Sequence, residues 1–364
     1  MRKFKKAYQI ELTLLGPIFI GSGEKLNSKE YIFKSKGNKV YILDIKSMFK
    51  DIIKMGLGNK LENYLIDKGD KRDLLKWLES NKIKENVWKK WVKYETSAGN
   101  TFSDTKTKNN IELCIKNPYG KPYIPGTSLK GAIKNIIISD ILKNDRKLRS
   151  EIQKKIEDTK SRGRKYLSYE EGKFIEKIDE EINIDDIIIR DSEPLDNESL
   201  VIAKKRDLKV GKDTNRKKGL NVVRECIKPG TKIRFEVIIG DEFRYSIKEI
   251  EDMMKRWFRH YSDVFISKFR YKSRGKVNED SIIYLGGGSG FITKTLIYSI
   301  FDGKEAVRQT MNVIKNTSYF AYDKHKHSYD EERYGISPYM LKLTEINNED
   351  FEFGMCKLSS VKEI

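Results

Sequence analysis

The sequence predicts an α+β fold, and three observations carry that prediction. Apolar, β-branched runs mark strands at Tyr8–Leu15, Ile184–Arg190, Thr231–Ile239 and Ile282–Leu285, the third with strict alternation at Ile233, Phe235, Val237 and Ile239. Apolar residues at three/four spacing mark two long helices, one opening at Ile124-Pro125-Gly126-Thr127-Ser128 and the other spanning Ser246–Phe269. In chain order these elements read strand, helix, strand, strand, helix, strand, which is the split βαβ or ferredoxin-like (RRM-like) arrangement. Fitting it to 364 residues requires insertions. The expected organisation is a core over residues 1–300, holding a helical insertion at about 45–110 and a charged excursion at about 143–180, then a C-terminal extension over 301–364.

The first strand ends at Gly16-Pro17, and Ile18 to Gly23 reads as a Gly/Ser loop. A hairpin is expected over Tyr31–Leu43 with Gly37-Asn38 as its turn. Asp44 then caps a helix whose Ile45, Met48, Phe49, Ile52 and Ile53 share a face, with Gly56 as its stop. Residues 60–95 look helical, and 96–110 have the polar composition of a loop. The next helix runs to about Leu142 with a stripe of Leu129, Ala132, Ile133, Ile136, Ile137 and Ile141. The second long helix carries Ile247, Ile250, Met254, Trp257, Tyr261 and Phe265. Stripes at this spacing are usually core, so no base-stacking role is read into its aromatics. The fourth strand breaks at Gly286-Gly287-Gly288-Ser289-Gly290, and the remaining chain is mixed and polar.

Charge narrows the partner. Lys and Arg number 73 against 54 Asp and Glu, a net +19, which favours a polyanion. Between Lys204 and Arg234 twelve bases face three acids, and Lys255–Lys276 holds eight bases and one acid. A membrane is not expected: no run approaches the about 18 apolar residues needed to cross a bilayer, and no signal-peptide core follows the basic Met1–Lys6. Cys114, Cys226 and Cys356 form neither a disulfide framework nor a metal pair, which fits a reducing, cytoplasmic setting.

Three segments have anion-binding chemistry. The turn at Gly126, Thr127 and Ser128 brings backbone N–H groups and a helix N-terminus together, with Lys130 adding a cation; an ordinary helix cap is the plainer reading. Gly286, Gly287, Gly288, Ser289 and Gly290 let the main chain approach a ligand closely, with Lys294 nearby, although the run is neither a Walker A loop nor a dinucleotide fingerprint. Lys204–Lys218 reads as a long flexible basic finger whose Lys205, Arg206, Arg216 and Lys217 suit a polyanionic strand; a solvated loop that makes no contact is the alternative reading. Arg224, just beyond, is suited to pair with a phosphate.

Catalytic chemistry is thin. The histidines are His260, His325 and His327, and no local nucleophile–base signature accompanies them. His325 and His327 with Cys356, or Asp185, Asp186 and Asp191, are the remaining metal candidates, with caps and ion pairs the plainer role for the acids. No cofactor is expected.

These motifs resemble the RAMP superfamily of CRISPR proteins. The resemblance rests on Leu12–Pro17 with Gly21-Ser22-Gly23, on Ile124-Pro125-Gly126-Thr127-Ser128-Leu129-Lys130-Gly131, on Arg190-Asp191-Ser192, on Arg224–Thr231 and on Gly286–Phe291. Ser337-Pro338, Leu341–Leu343 and Gly354–Lys357 make it most similar to the family of fifth Csm subunits of type III-A effector complexes. The resemblance implies a non-catalytic RNA-binding subunit that caps the complex near the 3′ part of the CRISPR RNA and aids its maturation. It adds Ser22 and Gly23 to the candidate RNA contacts. Implied partners are the CRISPR RNA and other Csm subunits, then target RNA and host nucleases. Three alternatives stay open: another RAMP backbone subunit, a structural scaffold that touches only protein, or a Cas-six-like repeat-processing endoribonuclease. Many such nucleases use an N-terminal histidine, whereas the first here is His260.

Overall fold

The computed structural model describes residues 5–67, 73–102, 110–159, 164–213 and 218–364. It is a mixed helix-and-strand structure built on two sheets. The first has the order Ile282–Tyr284, Met355–Glu363, Lys5–Leu14, Lys232–Gly240, Ile187–Ile189, with every pairing antiparallel. The helices Gly126–Asn144 and Ile247–Val264 pack on one face. There Leu129, Ile133 and Ile137 meet Ile10, Leu12, Phe235, Val237, Met254 and Phe258, all buried. Trp257 and Tyr261 belong to the same core. The opposite face carries ion pairs, with Glu11 held between Lys232 and Arg234 at 3.0 and 3.1 Å.

One feature departs from the expected order. The strand beside Lys5–Leu14 is Met355–Glu363, which separates it from Ile282–Tyr284. The last strand of residues 301–364 is thus hydrogen-bonded on both sides within this sheet. Only long-range pairing fixes such a neighbour, and local periodicity carries no trace of it.

The second sheet runs Gly21–Leu26, Ile111–Cys114, Lys218–Ile227, Leu200–Lys209, Val92–Ser97, Lys39–Leu43, Tyr31–Lys34. A hairpin of Met340–Ile346 and Glu349–Glu352 joins it alongside Leu200–Lys209. The two ends of the expected basic finger, Lys204–Lys209 and Lys218, lie in a strand pair, Leu200–Lys209 against Lys218–Ile227, and residues 214–217 fall outside the described residues. Its cationic residues hid a strand whose first five residues, Leu200–Lys204, are all buried and whose register shifts between Lys204 and Arg206. Ser22 and Gly23 likewise lie in an edge strand, not a loop.

Between Leu43 and Val92 the chain forms helices Ile45–Lys54, Gly58–Ile66, Leu74–Ser80 and Glu85–Trp88 with a core of their own, including Met48, Ile52, Leu61, Trp77 and Trp88. Asp44 caps the first, accepting from the Lys46 and Ser47 amides at 3.1 and 3.3 Å. The charged excursion forms helices Arg146–Thr159 and Arg164–Ile182, anchored through Ile152, Ile156, Ile178 and Ile182.

The two sheets meet along Leu15–Ile20. Leu15 and Gly16 donate to the Met355 carbonyl of the first sheet at 2.9 and 3.0 Å. Ile18 exchanges two backbone bonds with Ile227 of the second.

Candidate nucleic-acid interface

The glycine-rich loop docks on this junction. The Gly287 amide donates to the Phe19 carbonyl at 2.7 Å, and a Cβ at Gly286 would sit 2.3 Å from the same oxygen. With φ at +74° and +98°, Gly286 and Gly288 occupy backbone that L side chains rarely adopt. The loop therefore brings bare main chain against its neighbours.

Its principal neighbour is Arg224. The guanidinium lies 4.6 Å from the Phe19 ring centre, and Nε donates to Glu112 at 2.9 Å. Nη1 is buried and makes no hydrogen bond. A Cβ placed on Gly288 would stand 2.7 Å from that atom. Burial pushes the Glu112 carboxyl up, but Arg224 and Lys25 outweigh it and hold the group below its ordinary value.

More cations crowd the same place. The Lys205 ammonium is pushed down to about 8 by burial, with the charges of Lys342 and Arg224 adding to the effect. Lys294 is also lowered, by burial first and then by Arg224. Burial is the larger cause at both lysines, and Asp207 and Glu112 partly offset it at Lys205. Lys342 is half of an ion pair with Asp207 at 2.8 Å.

A cleft of about 390 Å³ extends from the loop to the motif helix, bringing Gly286 and Lys294 to Thr127 and Ser128. Gly126 itself behaves differently from expectation. Its amide already donates to Asp191 at 2.8 Å, and the Ile124 amide donates to Ser192 at 2.9 Å. A Cβ there would meet the Ile189 carbonyl oxygen at 2.1 Å. The Pro-Gly-Thr-Ser and Asp-Ser motifs are thus two halves of one packing joint. Lys130 turns to the Ile187 carbonyl at 3.0 Å and away from the cleft.

Other expected contacts scatter. Arg206 pairs with Glu345 at 3.3 Å, Lys204 is buried, and Ser289 is buried with its Oγ accepting from Thr293. Ser22 donates to the Leu113 carbonyl at 3.2 Å, one strand away from that of Arg224. Gly290 lies 3.5 Å from Lys342 as its Cβ would be built. Arg216 and Lys217 lie outside the described residues. The second basic block is spent on neighbours: Arg256 with Asp140, Arg270 with Asp213, and Arg274 with Glu349. Sequence reasoning missed Phe19 and the charged partners Glu112, Asp207 and Lys342. Only Lys342 left a signal, since Leu341 and Leu343 on either side turn it away from the core.

Among the described residues no group of three His, Cys, Asp or Glu is placed to hold a metal. Asp186 accepts the Glu242 amide at 2.8 Å, Asp191 is spent on Gly126, and Cys356 is buried in the first sheet. His260 bonds the Tyr298 carbonyl at 2.9 Å. No helix among these residues is long and apolar enough to cross a membrane.

The chain is similar to known proteins in sequence and in fold. The RAMP superfamily model matches residues 11–291. A Streptococcus thermophilus protein, CRISPR system Cms protein Csm5, is 30% identical over 81% of this chain and 82% of its own length. A Mycobacterium tuberculosis protein of the same name is 28% identical over 99% of both. Among solved structures, a chain in a cryo-EM Csm–crRNA–target RNA ternary complex of a type III-A CRISPR-Cas system superposes with TM-score 0.61 at 16% identity, covering 97% of this chain and all of that one. The crystal structure of T. onnurineus Csm5 gives 0.59 at 16%, covering 96% and 100%. The chain belongs to the RAMP superfamily and, within it, to the Csm5 family.

Proposed function

We propose that the chain is a non-catalytic RNA-binding subunit of a type III-A CRISPR effector complex, capping it near the 3′ part of the CRISPR RNA and aiding maturation of that RNA. Its partners are the CRISPR RNA and other Csm subunits, with target RNA and host nucleases in transient contact. The observation that carries this reading is the placement of Arg224 and Lys294 beside the bare main chain of Gly286–Gly288, with Lys205 in electrostatic reach of Arg224. Clustered cations beside glycine backbone suit a ribose-phosphate strand, which offers one negative charge per nucleotide.

In the same reading the first sheet with helices Gly126–Asn144 and Ile247–Val264 is a ferredoxin-like core, enlarged by the helical insertion and the last strand. Its open face differs from base-stacking sheets, because Glu11, Lys232, Arg234 and Glu236 stand there instead of aromatics. RNA therefore runs along the junction between the sheets. Thr127 and Ser128 border the track, and Gly126 and Lys130 support it from behind.

Purifying the tagged chain with its native assembly and sequencing the bound RNA tests this. CRISPR RNAs and the other Csm subunits should co-purify, and Arg224→Glu with Lys294→Glu should lower the RNA yield per chain. Co-purification of the assembly with RNA unaffected by both charge reversals would contradict the reading.

A further inference from the structure

Beside the junction lies a second, smaller cavity of about 270 Å³. Phe265, Phe291 and Pro338 give it apolar walls, while Asp207, Lys342 and His327 bring polar groups into it. The function proposed above does not use it. It shares Gly290 and Lys342 with the surroundings of the cation cluster, so a strand on the junction passes its mouth.

His327 is the most constrained of these groups. It is 6% exposed, and its Nδ1 lies 2.7 Å from the carboxylate of Asp330. Asp330 is wholly buried, and the same oxygen accepts from Ser337 Oγ at 2.6 Å. A carboxylate at Nδ1 orients the ring with the Nδ1 hydrogen toward Asp330, so that in the neutral imidazole Nε2 is the atom left to accept. No hydrogen bond to that atom is formed among the described residues. Asp207, bonded to Lys342 through Oδ1, offers a second acceptor.

We propose that this cavity takes one nucleotide turned out of an RNA strand lying on the glycine-rich junction. The inference rests on the RNA-binding reading above. Unpaired bases of single-stranded RNA are recognised by aromatic contact on their faces and hydrogen bonds to their edges, and this cavity supplies both. It is slightly below the about 300 Å³ at which ligand pockets begin, so it admits one ring system. Two acceptors at its polar end favour a base with an exocyclic amine and disfavour uracil.

The test uses the full chain and a series of single-stranded RNAs, each carrying one 2-aminopurine at a successive position. Emission at one position should differ at least threefold from its neighbours in the complex. Met340→Trp, which fills the cavity, and His327→Gln should each abolish that difference while leaving overall affinity within tenfold. Uracil at the responding position should bind about tenfold more weakly than adenine. A uniform response along a tightly bound RNA overturns the pocket alone. Failure of the unmodified chain to bind any of the RNAs overturns the pocket and the RNA-binding reading together.

Discussion

At Gly126 a Cβ would sit 2.1 Å from the Ile189 carbonyl oxygen, whereas at Gly288 it would meet the end of the Arg224 side chain at 2.7 Å. The first obstacle is backbone and cannot yield; the second is a side chain that can swing away. The amides differ too, since Gly126 N–H is spent on Asp191. Both segments read alike in sequence, as glycine turns suited to an anion. One proves to be a joint that closes the core, and the other lies against the Arg224 guanidinium, whose Nε is paired with Glu112 while its Nη1 finds no hydrogen-bond partner among the described residues. A glycine motif therefore says only that something comes close; its neighbours decide whether that is protein or ligand.

The sharpest way to break this contrast is substitution at both glycines. Gly126→Ala should destabilise the fold by at least the about 1–3 kcal/mol of overpacking, read as a lower denaturation midpoint. Gly288→Ala should cost about 1 kcal/mol, the lower end for a non-glycine residue held at positive φ, yet weaken RNA binding by displacing Arg224. If Gly126→Ala were as stable as the unmodified chain, the joint would not exist.

Arg224→Ala comes next in expected size. Loss of a charge-assisted phosphate contact should lower RNA affinity by about 1.5–3 kcal/mol, roughly ten- to a hundredfold, in a filter-binding titration. Lys205 adds a pH dependence. Its folded value of about 8 lies below the ordinary lysine range, so the ammonium loses its proton between neutral pH and pH 9. RNA affinity should fall over that window. Stability should rise through it, because the unfolded chain there holds the proton that the folded chain has lost. Lys205→Arg stays charged and should flatten the affinity profile; an unchanged profile would remove Lys205 from the site. The smallest effect is expected at Lys130. Lys130→Ala loses the bond to the Ile187 carbonyl, costing about 1 kcal/mol of stability, with RNA affinity unchanged within twofold.

The core elements were legible because their signals are local. The strand Lys232–Gly240 alternates, the helix Ile247–Val264 repeats at three/four spacing, and Ser246 with Glu249 closes its capping box. What escaped is long-range. Met355–Glu363 pairs with Lys5–Leu14 across almost the whole chain, and nothing within either segment announces it. The strand Leu200–Lys209 was hidden by its own lysines, because Lys204 is buried and Lys205 half-buried where cationic side chains ordinarily mark solvent-exposed chain. The site was half visible. Arg224, Lys205, Lys294 and the glycine run carry their chemistry in their side chains or lack of them. Phe19 and Glu112 matter only through the neighbours that folding gives them, so no motif marks them.

Salt dependence tests the central claim most directly. Each phosphate contact to a single strand contributes about 0.7 to the slope of log affinity against log salt. In the full chain, Arg224→Ala with Lys294→Ala should reduce that slope by about 1.4. Lys232→Ala with Arg234→Ala, on the open face of the first sheet, should leave it unchanged. Equal slopes for the unmodified chain and the Arg224/Lys294 variant, or an equal loss from the open-face pair, would contradict an RNA track at the glycine-rich junction.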